Sequence, residues 1–167
     1  MRWLLVLLGF SLTLAAQAQV QGFASHDLTS VVDQARIAID TKASIQATPL
    51  NLTMTCASCT GSPVVDIRLG RLTDGTEKRV RSGETTFAKL ESLCIKQNPD
   101  CRLSTLPVSP AIGWLTVYAF GNGAGSTAVI LRDGDLLTIQ AKADSRWHAE
   151  ESVRALVQRL APRIVGP

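Results

Sequence analysis

Apolar residues at Leu28, Val31, Val32, Ala35, Ala38 and Ile39 recur at helical spacing, with Asp33, Arg36 and Asp40 between them. That period predicts an amphipathic helix over residues 27–41. Residues 44–55, rich in Ile, Leu and Thr, predict a strand, which Pro49 assigns to an edge or a bulge. Val65, Ile67 and Leu69 then alternate with Asp66 and Arg68, the two-residue period of a half-buried strand. Thr73-Asp74-Gly75-Thr76 reads as a hairpin turn, because Asp-Gly supplies the positive φ that a type I′ turn requires. Residues 77–82 are expected to return from it as a polar, basic strand.

A second helix is predicted over 84–95, with Phe87, Leu90, Leu93 and Cys94 on one face. Asn98-Pro99-Asp100 forms a turn, and Pro107 and Pro110 bracket a connector. Residues 112–120, 126–132 and 135–142 predict three strands, joined by the glycine-rich loop 121–125 and by Asp133-Gly134. Asp144 or Ser145 can cap a last helix with Ala149, Val153, Leu156, Val157 and Leu160 on its core side, and Pro162 is expected to stop it. The order α-βββ-α-βββ-α makes the fold class α+β: two layers, with an antiparallel sheet from two three-stranded meanders packed with three helices.

The first residues change the picture of where this fold works. Arg2, the apolar run Trp3–Ala16 and Ala16-Gln17-Ala18 have the layout of a secretory signal peptide over residues 1–18, with Gln19 as the new N-terminus. The apolar run is shorter than the roughly 20 residues of a membrane span, and no second such run follows. One domain, 19–167, is expected in the periplasm or outside the cell. Without Arg2 the formal net charge falls from +3 to +2, too mild a balance to point to nucleic acid.

Export in turn bears on the cysteines. Cys56, Cys59, Cys94 and Cys101 are expected as disulfides in an oxidising compartment. Four cysteines allow three connectivities; the local choice pairs Cys56 with Cys59 and Cys94 with Cys101, and the crossed choices stay open. The segment Met54-Thr55-Cys56-Ala57-Ser58-Cys59 also resembles the loop of heavy-metal-associated domains. That resemblance implies Cu(I) held by the Cys56 and Cys59 thiolates, hence copper as the alternative cofactor. It covers six residues. The family continues into a helix after the second cysteine, whereas here Gly61, Pro63 and the alternation of Val65, Ile67 and Leu69 follow. Redox exchange would need a helix N-terminus or nearby cations to stabilise a thiolate, and residues 50–62 contain no Lys or Arg.

Other chemistry is sparse. Ser58, Ser62 and Ser126 are possible nucleophiles, but only His26 and His148 could serve as base, and neither lies in a hydrolase motif. Residues 121–125 match a phosphate loop only in glycine content, since a strand follows them. Asn51-Leu52-Thr53 is a glycosylation sequon, relevant in a eukaryotic secretory pathway. Arg68, Arg71, Lys78, Arg79 and Arg81 form a basic stretch, and strand alternation would put Arg79 and Arg81 on one face as a surface for an acidic partner or an anionic envelope polymer. The expectation is a non-enzymatic, disulfide-stabilised binding or accessory module of the bacterial envelope, chaperone-like or of inhibitor or immunity type. Its partner is expected to be another envelope protein, and its alternative role is copper handling.

Overall fold

The hydrophobic alternation of the strands is satisfied, among the described residues, by a single antiparallel sheet of seven strands in the order β1-β2-β3-β7-β6-β5-β4. These are β1 (Ser44–Ala47), β2 (Asn51–Thr55), β3 (Val64–Arg71), β4 (Arg102–Thr105), β5 (Ile112–Phe120), β6 (Gly123–Arg132) and β7 (Asp135–Ala143). The helices are α1 (Val32–Ile39), α2 (Thr76–Arg81), α3 (Phe87–Gln97) and α4 (Arg146–Ile164), with a 3-10 turn at Leu28–Val31 leading into α1. This computed structural model describes residues 22–167; the export signal expected at 1–18, and residues 19–21 of the domain, lie outside the described residues.

Two meanders build the sheet, β1-β2-β3 and β4-β5-β6-β7, and they join where β7 pairs with β3 from Val64↔Lys142 to Arg71↔Asp135. The two-layer α+β architecture expected from the periodicity is present. One face of the sheet carries Leu52, Met54, Val65, Ile67, Leu115, Ala128, Ile130, Leu137 and Ile139, all at most 1 % exposed. Helix α4 covers that face with Val153, Leu156, Leu160 and Ile164, and α1 packs beside α4 through Ala35. The opposite face bears Thr53, Asp66, Thr127, Thr138 and Gln140. It also bears Tyr118, which lies so close over Gly125 that a Cβ there would come within 2.5 Å of the ring.

Several elements differ from the periodicity. The 44–55 strand is a hairpin, since Pro49 and Leu50 break it and Thr48 pairs back to Asn51. Residues 77–82 do not form a strand; 76–81 are helix α2. Asp74 Oδ1 accepts from the Thr76 N–H, Gly75 sits at φ 82° as the helix N-cap, and Glu77 and Arg81 pair one turn apart. The connector after Cys101 supplies a short extra strand, β4, whose outward Leu103 N–H is bonded by Glu91 Oε1 of α3. Pro162 does not stop α4, which runs on to Ile164. A proline near the end of a helix removes one backbone bond without preventing the last turn from closing on its remaining partners.

Candidate functional site

Both cysteine pairs close locally. Cys56 bonds Cys59 across a Cα–Cα distance of 5.3 Å, and Cys94 bonds Cys101 across 5.8 Å. No free cysteine remains. The antiparallel pairing puts the two bridges at the same end of the sheet: the first follows β2 and the second precedes β4, beside the end of β5. There α3 ends against the sheet through the Asn98 side chain on Ala119 O, 2.9 Å, and Arg146 pairs with Asp100. The loop between Cys56 and Pro63 packs on the start of α4, where a Cβ on Gly61 would meet His148 at 2.5 Å. No helix follows Cys59, and among the described residues no group of three or more His, Cys, Asp or Glu side chains is placed to hold a metal.

The histidines are both engaged. His148 Nδ1 contacts Asp144 Oδ1 and, at 2.9 Å, Ser145 Oγ, the side chain that caps α4. Both partners share one ring nitrogen, whereas a nucleophile relay places serine and carboxylate on opposite nitrogens. The hydrogen bond with His148 holds the Asp144 carboxyl below its ordinary range. His26 Nε2 lies 2.7 Å from Asp135 Oδ2, and Arg71 Nη1 lies 2.9 Å from Asp135 Oδ1. The Phe23 N–H donates to the same carboxylate at 2.8 Å. Asp135 is buried at the far end of the sheet from the disulfides, and this cluster fastens the first described residues to β7. Of the serines, Ser62 Oγ donates to Ala57 O, and Ser126 is buried in β6.

The basic stretch is dispersed. Arg68 binds Asp66 on the uncovered face, and that carboxylate holds the guanidinium charged above its usual range. Arg71 serves Asp135, Arg81 binds Glu77 and Pro110 O, and Arg79 reaches Asp74 O and Thr76. Because 76–81 are helical, Arg79 and Arg81 do not share a face as alternate strand residues would; two positions on a helix are about 200° apart. Of the five, Lys78 alone among the described residues has no ion pair or side-chain hydrogen bond.

Sequence reasoning missed a mostly apolar concavity. A groove of about 500 Å³ runs between α4 and the 106–109 connector, with Val165, Gly166 and Pro167 at its far end. Leu106 and Val108 form one wall. A spacing of three and four residues from Arg154 to Val165, which shares Val157 with the core side and ends just past α4, is the signal that could have found it. The core stripe next to it hid that signal. Elsewhere Trp147, 64 % exposed, stands beside His148 at the disulfide end.

No protein-family model matches the chain, and no curated protein matches it in sequence. No helix among the described residues is long and apolar enough to cross a membrane. The fold and its bonds define a disulfide-stabilised α+β module, and two disulfides are the chemistry of an oxidising, extracytoplasmic compartment.

Proposed function

We propose that this chain is a non-catalytic binding or accessory module of the bacterial envelope that recognises another envelope protein. The groove along α4 carries the reading. A concavity of about 500 Å³ with a mostly apolar lining, on a scaffold cross-linked at the opposite end of its sheet, is suited to hold a partner segment. A photo-crosslinking residue at Gln158, in protein exported to the periplasm, is expected to give one discrete adduct. The same residue at Gln46, on the far edge strand, is expected to give none. Matching adduct patterns at the two positions would sink the reading.

Copper handling is the second reading, favoured by one observation: the Cα atoms of Cys56 and Cys59 are 5.3 Å apart, so two thiolates could meet on one soft cation after reduction. Alkylation of unreduced protein followed by intact-mass measurement decides its resting state. Four blocked cysteines would remove copper capture as the resting function. One equivalent of Cu(I), lost in Cys59→Ser, would restore it.

A further inference from the structure

The groove has more definition than its volume, and it deepens the binding reading on which this inference rests. Arg154, Val157, Gln158, Ala161, Pro162 and Val165 recur at intervals of three and four, so one stripe of α4 forms its floor. From first to last the stripe rises about 16 Å. An extended peptide of about five residues has that length.

Two polar groups break the apolar lining, and they are of opposite kind. At one end stands Arg154, whose Nε donates to Glu150 Oε1 at 2.8 Å and whose Nη2 donates to Ser104 Oγ at 3.0 Å. Nη2 also lies 2.7 Å from Glu150 Oε1, so Glu150 and Ser104 fix the guanidinium plane and Nη1 is the one nitrogen of the fork without a partner among the described residues. One turn further on is the Gln158 carbonyl. Its helical donor would be the amide of residue 162, and Pro162 has none. A proline inside a helix costs stability, and here it removes the i+4 donor of a backbone carbonyl beside an apolar floor.

We infer that the groove binds the C-terminal segment of a partner protein, a peptide of apolar side chains ending in a free carboxylate. The carboxylate sits on Arg154 Nη1, the complementary charge, and the peptide bonds run toward Val165. A peptide N–H donates to the Gln158 carbonyl, and apolar side chains lie on Val157, Ala161 and Val165, facing Leu106 and Val108. An acyl chain would use the same apolar floor and the same arginine but has no N–H for Gln158. That difference separates the two chemistries.

The test titrates the mature protein by calorimetry with a pentapeptide of Ala, Val and Leu ending in a free carboxylate, with its C-terminal amide, and with dodecanoate. The free acid is expected to bind roughly tenfold or more tighter than the amide, as a charge-assisted hydrogen bond implies. Arg154→Gln should abolish that difference. Pro162→Ala returns an amide hydrogen to the Gln158 carbonyl, so it should weaken both peptides several-fold while Tm holds or rises. A purely structural role for the proline would move Tm alone. Equal binding of acid and amide, unchanged peptide binding in Pro162→Ala, or binding of dodecanoate in preference to either peptide would each overturn the inference. Ala161→Trp, which fills the groove, separates this from the broader reading: a partner adduct at Gln158 that survives the substitution removes the tail-binding mode and leaves the binding module standing.

Discussion

Asp135 is the residue on which distant parts of the chain converge. Its carboxylate, 3 % exposed, takes hydrogen bonds from Phe23 N–H and Arg71 and contacts His26, which joins the first described residues to β3 and β7. Asn at this position keeps the volume but removes the charge and half the acceptors. Asp135→Asn is expected to cost about 2–3 kcal/mol in urea unfolding, because the buried Phe23 amide and the guanidinium lose a charged acceptor. At the surface, Asp27 is held below its ordinary carboxyl range first by the Thr29 hydroxyl, and Asp74 first by the Thr76 amide. A carboxylate whose folded pKa is depressed stabilises the fold above its unfolded value and loses that contribution as pH falls through the folded one. The stability curves of wild type and Asp74→Ala are therefore expected to separate above about pH 4 and converge at lower pH. Parallel curves across that range would contradict it.

At the scale of elements, two Asp-Gly pairs show how one local signal gives two outcomes. Asp133 and Gly134 both adopt positive φ, 53° and 83°, and turn β6 into β7. Apolar alternation follows Gly134 through Leu137 and Ile139, and the returning strand buries it. After Gly75 the chain reads Thr-Glu-Lys-Arg-Val-Arg, with one apolar residue and no alternation, and its Glu, Lys and Arg residues, good helix formers, close a helix instead. Glu77 then caps the other turn by accepting from the Gly134 N–H at 3.0 Å. Helix α3 is the element most dependent on its cross-link, because none of its residues is buried. A Cys94→Ser, Cys101→Ser double variant is expected to lose roughly 2–3 kcal/mol on the loop-entropy account. Hydrogen exchange should locate the loss in α3 and β4, with β6 and β7 still protected. The free side of β4 should suffer too, since Glu91 of α3 satisfies its Leu103 amide.

For the whole molecule, the joint between β3 and β7 decides cooperativity. Ile67 and Ile139 are paired across it, both 0 % exposed, and α4 packs over the neighbouring strands β5, β6 and β7. Neither meander has a complete core of its own, so both are expected to unfold in one transition with coincident circular dichroism and tryptophan signals. Ile139→Ala is expected to lower the unfolding free energy by roughly 2–5 kcal/mol without splitting that transition. Two resolved transitions in this variant would show that the meanders fold independently. The groove also belongs to this scale, because its two sides, the 106–109 connector and α4, are separated in sequence by the strands β5 to β7.

The amino-acid sequence by itself determined the two-layer class, the strand alternation from Val65 to Leu69 and from Ile112 onward, and the core stripe of α4, and it offered the local cysteine pairing as one of three connectivities. Each of these follows from a short-range period or from the small entropy of closing a short loop. Only the tertiary structure decided that the cysteines pair locally with both bridges at one end of the sheet, that Asp135 gathers Phe23, His26 and Arg71, and that Arg68, Arg71 and Arg81 are drawn into separate ion pairs. It alone opened a groove beside Pro162. Those arrangements depend on which strand lies next to which across a hundred residues, and local periodicity carries no information about that order.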